Sequence, residues 1–417
     1  MSLRVLTTAY ACEPDVGSEG GIGWNWVKQI AQRHETTLIT RENNVDQVRR
    51  AAGQADLNLR VIGYDLPPAL RSWKRGSRGA LAYFALWQRG LSNLASKLHQ
   101  EQRFDVAHHL TFASSWIGSG LANLEVPFVW GPVGHHDPIP TRFQRSRDIF
   151  SIASERAKAG IRRSLPSLDP LARKTREKAD LILSLGGDLP GYLSPEAAER
   201  VLPMLACGVD APLESDLVLD RVTDPLEILF AGRLVDLKGP DLAIEAFARI
   251  ADAYPGARLT LIGAGPRRDS LESLASQLDL TNRIHFSGQL NHAETLDAMA
   301  KAHIFLFPSF EGAGMVVVEA LSNACPVVCL DLGGPGRMVD EERGCTVSAT
   351  GSRASTVAGL GQALDHLART ESQRSHLARN ARAWVMQEAT WSAKGKRLDE
   401  FYGIAMDRHT QRNRKAA

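Results

Sequence analysis

Two carboxylates, Glu311 and Glu319, stand with seven residues between them in the run Glu-Gly-Ala-Gly-Met-Val-Val-Val-Glu. The run follows an apolar stretch, Ile304 to Pro308, that reads as a strand, and it opens into Val316 to Asn323, which reads as a helix. A Gly-rich turn between a strand and a helix N-terminus offers amide groups and a favourable dipole to an anion. Phosphate alone would be repelled by the flanking carboxylates. A phosphate with hydroxyl-rich groups on both sides would not be, because carboxylates accept hydrogen bonds from hydroxyls. A nucleoside diphosphate sugar, with a ribose at one end and a hexose at the other, has that form.

Cations suited to the diphosphate lie upstream. Phe230-Ala-Gly-Arg-Leu234 ends a strand and Asp236-Leu-Lys-Gly239 leads into a helix. Arg233 and Lys238 therefore sit on a strand-to-helix loop at the carboxyl edge of a parallel sheet, where such folds bind ligands. Arg grips phosphate through two N–H groups and Lys supplies a mobile point charge. A salt-bridged surface loop would use the same two residues. The turn Leu261-Ile-Gly-Ala-Gly-Pro266 and the segment Gly333-Gly-Pro-Gly336, expected as flexible turns on the same edge, favour the ligand reading.

The elements that would carry these residues alternate along the chain. Strands are expected near Arg4–Tyr10, Thr36–Thr40, Asp105–Leu110, Pro127–Gly131 and Leu181–Leu185, with helices over Gly23–Gln32, Leu81–Gln100 and Leu171–Ala179. Pro-rich polar sequence from Asp210 to Pro225 separates a second series. That series has strands at Leu226–Arg233, Arg258–Gly263, Arg283–Gly288, Ile304–Pro308 and Pro326–Asp331, and helices at Asp241–Ala253, Arg267–Gln277, Ala293–Ala302 and Val316–Asn323. Alternation of this kind predicts βαβ units on parallel sheets. The expected fold is α/β, two Rossmann-like domains facing a central cleft. Residues 1–210 form the first, acceptor-binding domain, and residues 211–390 form the second, donor-binding domain. Residues 391–417 form a C-terminal helix packing back on the first domain, with a frayed tail after Asp407.

Composition sets the outer limits. A chain of 417 residues with 44% hydrophobic and 23% charged residues is long enough for two ordinary cores. Its five cysteines make no CxxC pair and no cluster with His, as expected of reduced thiols in a cytoplasmic protein. The apolar run at Leu3–Tyr10 is too short for a signal peptide, and no stretch of about 18 apolar residues spans a membrane. The net charge of +2 is unevenly spread: residues 71–103 hold seven Lys/Arg against one acid, and residues 142–178 hold eleven against four. Arg71-Ser-Trp-Lys-Arg-Gly-Ser-Arg78 precedes the aromatic-rich Ala80–Trp87, so cations and aromatics adjoin. Such segments can rest on an anionic membrane surface; an ordinary solvated basic helix face has the same composition. No nucleic-acid module is recognisable.

The ordered set Gly-Arg-Leu…Lys-Gly, Gly-Ala-Gly-Pro, Pro-Ser-x-Glu-Gly-x-Gly…Glu-Ala and Pro-Val-Val…Gly-Gly, from about Leu226 to Val347, resembles the retaining glycosyltransferases of family 4, which have the GT-B fold. The resemblance implies that Arg233 and Lys238 bind the donor diphosphate, that Glu319 holds the ribose hydroxyls, and that Glu311 faces the transferred sugar as a catalytic residue. It implies further donor contacts from Gly263 and Gly265, from Gln289 and Leu290 beside the base, and from Gly312, Ala313, Gly314, Met315 and Val316. Arg337 departs from the resemblance, since many relatives carry Glu near that point.

The first half offers Gly17-Ser-Glu-Gly-Gly-Ile-Gly23, four glycines in seven residues after the first strand. Glycine lets a backbone approach a ligand closely, and the spacing does not match a dinucleotide-binding G-x-G-x-x-G. The resemblance places Gly20 and Gly21 near the donor phosphates and Glu19 on the acceptor side. It also places a His at the end of the strand from Asp105, next to the reacting sugar. Adjacent strand residues face opposite sides, so one of His108 and His109 is expected to serve; His109 is taken as catalytic and His108 as acceptor-side. His135 and His136, in the turn Trp130–Pro138, are further acceptor-side candidates. No Asp-x-Asp pair or zinc-ligand spacing is present, and neither metal nor cofactor is expected.

Together with these residues, the resemblance implies a retaining, metal-independent hexosyltransferase that moves a sugar from a nucleotide sugar to a hydroxyl acceptor. The expected acceptor is a glycan or lipid-linked sugar of surface polysaccharide or glycolipid assembly. The expected location is cytoplasmic, with peripheral attachment to the inner membrane face through the basic segments. A nucleotide-sugar epimerase, a phosphorylase on the same plan, and a non-catalytic nucleotide-sugar sensor are the alternatives.

Overall fold

The computed structural model describes residues 2–71, 79–134, 139–144, 169–185, 189, 193–211 and 225–416. The chain forms two compact units. The first comprises Met1–His135, Arg156–Ala206 and Trp391–Ala417, and the second His136–Glu155 and Cys207–Thr390. Each is built on one parallel sheet.

The first sheet has seven strands: β1 Arg4–Thr8, β2 Glu35–Thr40, β3 Leu59–Gly63, β4 Val106–His109, β5 Phe128–Val133, β6 Leu181–Ser184 and β7 Val201–Pro203, in the order β3-β2-β1-β4-β5-β6-β7. The second has six: β8 Glu227–Ala231, β9 Arg258–Ile262, β10 Ile284–Gly288, β11 Ile304–Phe307, β12 Val327–Leu330 and β13 Gly344–Val347, in the order β10-β9-β8-β11-β12-β13. All of the strand pairings are parallel. Helices cover the faces of such sheets, so their strands read as unbroken apolar runs. Every residue of β11 and β12 is buried, as that rule requires.

On one side of the first sheet the Ala80–Glu101 helix sends in Tyr83, Phe84, Trp87 and Leu91, all at most 1% exposed. Tyr10, just past β1, meets Phe84, Trp87 and Phe112 edge-on at ring separations of 5.0, 5.4 and 5.1 Å. Edge-to-face pairs of this kind add to the hydrophobic gain of burial. The loops after β1 and β4 are thereby fixed to one aromatic cluster.

The Trp391–Ala416 helix belongs to the first unit. Lys394, buried, donates to Leu205 O at 2.8 Å, and the Trp26 indole donates to Ala206 O at 2.9 Å while meeting Trp391 edge-on. The helix runs on to Ala416, where fraying after Asp407 was expected. The reason is Asp180, buried at the start of β6. It accepts from Arg412 Nη1 at 2.7 Å, lies 3.1 Å from His409 Nδ1, and accepts the Phe128 amide at 2.9 Å. Arg412 also donates to Lys178 O at 2.7 Å. Arg408, His409 and Arg412 of the tail are spent on this carboxylate and on carbonyls of the first unit.

Replacing Asp180 with Ala strands buried donors without their acceptor, a change that costs roughly 3–5 kcal/mol when a buried ion pair is broken. The expected outcome is a lower melting temperature of the whole chain and new proteolytic cleavage between residues 407 and 416, read by mass spectrometry. An uncut tail in Asp180→Ala would show that the clasp is not what holds the helix end.

Candidate functional site

In the second sheet the winding reverses between β8 and β11. Open α/β sheets bind ligands beyond the carboxyl ends of their strands at such a reversal. The loops leaving these two strands are the ones that carry Arg233, Lys238 and Glu311.

Lys238 closes the short turn Asp236–Lys238, and Gly239 follows in the left-handed region at φ 64°. A Cβ on Gly239 would lie 2.2 Å from Pro308 O, so glycine is what lets the β8 and β11 loops touch. Phe310 N and Ser309 Oγ both donate to Leu237 O, at 2.8 and 3.1 Å, and Glu311 N donates to Ser309 Oγ at 3.2 Å. This stitching brings Lys238 and Glu311 into an ion pair, with both side chains about five-sixths buried. Lys238 Nζ also lies 5.2 Å from the centre of the Phe307 ring. Asp236 is likewise paired, with Arg267. Arg233 is exposed and has no ion-pair partner among the described residues. The loop thus presents one open cation and one held against a carboxylate.

Past Glu311 the chain turns through Gly312 and Ala313 to Gly314, which caps the Met315–Ser322 helix at φ 73°. A Cβ there would meet Met338 Cε at 2.7 Å and Pro335 Cδ at 2.9 Å. Those atoms belong to the Gly333–Met338 helix. Gly333 to Gly336, expected as a flexible turn, are therefore helical, and Gly334 N donates to Gly312 O at 2.7 Å. Their small size lets this helix lie against the Glu311–Ala313 backbone. Gly263 and Gly265 play a similar part, with the turn after β9 lying directly on Gly232 and Leu234 of the β8 loop. Met315 and Val316 form the first turn of the Met315–Ser322 helix, where amides lack partners within the helix.

Glu319 lies a turn further along, with its side chain 13% exposed. Burial raises its carboxyl above the ordinary range, and the contact with His292 pulls it back. His292 Nε2 is 3.0 Å from Glu319 Oε1. Gln289 is exposed and Leu290 half-buried on the segment between β10 and His292. Sequence reasoning missed His292, Asp236, Arg267 and Ser309. The readable signal for the first was Asn291-His-Ala-Glu294, a helix-capping pattern that fixes where His292 stands.

The first sheet reverses between β1 and β4. Gly20 and Gly21 do not lie in a loop here: the Ser18–Ala31 helix begins before them. A Cβ on Gly21 would clash with Val16 O, so the glycines serve the close seating of this helix on the β1 loop. Glu19 accepts the amide of Phe112 at 2.8 Å. Phe112 has φ 56°, an uncommon conformation for a bulky residue. Ala11 N donates to Thr111 Oγ1 at 3.1 Å, so the turn after β4 is held from two sides.

Both histidines at the end of β4 are buried. His108 Nε2 donates to Gly131 O at 2.9 Å, since a carbonyl only accepts, and its Nδ1 then accepts from Tyr402 O–H, also at 2.9 Å. His108 is thus saturated by the backbone after Trp130 and by the Trp391–Ala416 helix. His109 Nε2 donates to Thr111 O at 3.0 Å, which leaves Nδ1 as a lone-pair acceptor, buried and without a partner in the structure. Burial lowers His108 to about 3 and His109 to about 4. His109 therefore offers a neutral hydrogen-bond acceptor at neutral pH. His135 and His136 lie outside the described residues, as do most of residues 142–178 and the 72–78 part of 71–103. Among the described residues no group of His, Cys, Asp and Glu could hold a metal ion.

Residues 216–384 match the family described as glycosyl transferases group 1. The chain is 29% identical over 231 residues to a glycogen synthase of Mycobacterium tuberculosis, covering 54% of each protein. It is 30% identical over 174 residues to a GDP-mannose-dependent monoacylated alpha-(1-6)-phosphatidylinositol monomannoside mannosyltransferase of Corynebacterium glutamicum, covering 40% of this chain and 44% of the relative. The chain spans about half the length of the curated relatives it matches. The structure resembles sucrose-phosphate synthase from Thermosynechococcus elongatus with a TM-score of 0.66 at 19% identity, over 96% of this chain and 98% of that one. The fold is GT-B: two α/β, Rossmann-like domains on parallel sheets.

The two histidines give a pH signature. Their folded values lie below the unfolded value of about 6.5, so below that pH the folded state binds fewer protons than the unfolded state. Their contribution is complete above about pH 6.5 and is lost on acidification towards pH 4, by about 1.4 kcal/mol per histidine per pH unit within that window. His109→Gln keeps a donor for Thr111 O and removes the titration. Its melting temperature should fall less steeply between pH 6.5 and 4 than that of the wild type. Parallel curves would refute the neutral, buried assignment.

Proposed function

We propose, from the glycosyl transferases group 1 domain that this chain carries over residues 216–384, that the protein is a retaining glycosyltransferase using a nucleotide-sugar donor. The observation that carries this reading is the charge arrangement at the β8/β11 reversal. Arg233 is open, Lys238 is held by Glu311, and a Gly-capped helix N-terminus lies between Glu311 and the buried Glu319. The arrangement suits a diphosphate flanked by two polyols.

The donor diphosphate draws Lys238 away from Glu311, and the released carboxylate accepts from hydroxyls of the transferred sugar. Arg233, Lys238 and the first amides of the Met315–Ser322 helix take up the negative charge that grows on the departing diphosphate. Preorganised charge of this kind is commonly the largest catalytic term. The acceptor hydroxyl oxygen bonds to the anomeric carbon on the face that the diphosphate leaves. The bond from that carbon to the phosphate oxygen breaks, and the hydroxyl proton passes to a phosphate oxygen, so configuration is retained. No metal takes part in this scheme. His109, buried and neutral with an unpartnered Nδ1, is suited to accept a hydrogen bond and does not act as an acid.

The acceptor is proposed to be a glycan or a lipid-linked sugar, with the protein cytoplasmic and seated on an anionic membrane face. Among the described residues no helix is long and apolar enough to cross a membrane. Leu70, Leu81 and Leu86 are exposed on either side of the basic Lys74–Arg78 segment, which itself lies outside the described residues. Relatives include both a glycogen synthase and a mannosyltransferase that acts on a phosphatidylinositol mannoside.

The reading is tested by calorimetric titration of the chain with UDP, GDP and ADP in the presence of EDTA. One of them should bind. Lys238→Ala and Arg233→Ala should each weaken that binding about 10- to 100-fold, the worth of a charge-assisted hydrogen bond of roughly 1.5–3 kcal/mol. Normal affinity in both variants would overturn the site. Product analysis with the matching nucleotide sugar then separates transfer to an acceptor from epimerised donor or simple binding. Sedimentation with vesicles containing anionic lipid tests the membrane seat.

A further inference from the structure

We propose that His292 is a positioning residue for the donor ribose, holding Glu319 ionised and in one orientation so that the carboxylate recognises the 2′- and 3′-hydroxyls. The proposal rests on the reading of Glu319 as the ribose ligand and assigns a second residue to that subsite.

The geometry is asymmetric. The Glu319 side chain is 13% exposed, whereas that of His292 is 71% exposed, so the imidazole reaches in from solvent over a carboxylate that is otherwise enclosed. Among the described residues His292 is the one side-chain partner of Glu319. A carboxylate that is largely desolvated drifts towards its neutral form, and burial does raise this one. A neutral carboxyl would spend one oxygen as a donor and recognise a diol poorly. His292 Nε2–H, 3.0 Å from Oε1, opposes that drift and leaves Oε2 and the second lone pair of Oε1 open. A carboxylate has about four lone-pair positions, so one imidazole N–H and two ribose hydroxyls fit together without displacement.

Its anchorage supports the role. His292 is the first residue of the His292–Lys301 helix, directly after Asn291, the N-cap of a complete capping box. Asn291 Oδ1 accepts the Glu294 amide and Glu294 Oε2 accepts the Asn291 amide, both at 2.9 Å. The cap is complete without the His292 side chain. The residue's place in space is therefore fixed, while its ring contributes little to holding the helix, and Ala at this position should fold.

The experiment compares the nucleoside diphosphate that binds (UDP, GDP or ADP) with its 2′-deoxy and 3′-deoxy counterparts, by calorimetry on wild type, His292→Ala, His292→Gln and Glu319→Gln. Wild type should prefer the ribonucleotide by about 10-fold or more. His292→Ala should lose about 10-fold in affinity for the ribonucleotide and little for either deoxynucleotide, so that the preference collapses. His292→Gln, whose amide can donate to the carboxylate, should restore most of it, and Glu319→Gln should show no preference. A structural role alone would shift all of the affinities together. Preference retained in His292→Ala, or ribo and deoxy affinities falling in parallel, overturns the proposal while leaving Glu319 as the ribose ligand. A wild type that binds none of the three diphosphates, or binds without preferring ribose, overturns the donor-site reading and this proposal with it.

Discussion

A parallel sheet wound first one way and then the other leaves its carboxyl edge uncovered where the winding reverses. The two helices that follow the central strands depart to opposite faces, and the loops feeding them cannot cover each other. In the second unit this reversal falls between β8 and β11, and the features argued to bind ligand sit on the loops there. The polar groups gathered at that edge are consequences of topology. Strand ends supply rigid anchors, helix beginnings supply unpaired amides, and the reversal supplies room.

Charges placed at such an edge must be managed in the absence of a ligand. A largely enclosed Lys beside an equally enclosed Glu would be costly if either stood alone. Lys238 and Glu311 offset one another, and Asp236 is likewise paired with Arg267. Both pairs span separate loops, so they also hold the β8 loop against its neighbours. The backbone does the finer alignment: Leu237 O receives two donors from the β11 loop, and Gly239 permits the close approach that makes this possible. In the proposed function, a diphosphate arriving here would exchange one set of charge partners for another and leave that backbone alignment in place.

How much of this could be read from the residues depended on how local the physics was. Apolar runs such as Ile304–Phe307 and Val327–Leu330 are buried on both faces and announce themselves as strands. The cations after β8 and the two carboxylates around the Gly turn were legible because strand-turn-helix chemistry is written within about a dozen residues. Glycines misled in two places. Gly17–Gly23 suggested a backbone open to a ligand and Gly333–Gly336 a flexible turn, but Gly21, Gly23, Gly333 and Gly334 lie in helices and serve close packing against a neighbouring backbone. The C-terminal tail looked frayed because its partner, Asp180, is 229 residues away from His409 in sequence. The strands β3, β7 and β13 were too short or too mixed in polarity to stand out.

The β4 histidines show why residue type and strand alternation alone could not divide the work. Alternation is obeyed: His108 bonds Tyr402 of the Trp391–Ala416 helix, while His109 packs against Phe84 of the Ala80–Glu101 helix. What separates the two rings is the carbonyl each one meets. Gly131 O and Thr111 O each demand a proton on Nε2, so both rings are fixed as the same neutral tautomer with Nδ1 as the acceptor. Tyr402 fills that acceptor on His108, and in the structure the one on His109 has no partner. A buried acceptor without a partner carries a desolvation cost of about 1–3 kcal/mol. A hydroxyl donated by a bound sugar would remove that cost at His109 and could remove nothing at His108, whose hydrogen-bonding capacity is already used. The hydrogen-bond inventory thus distinguishes the two rings, and it is what favours His109 over His108 in the proposed function.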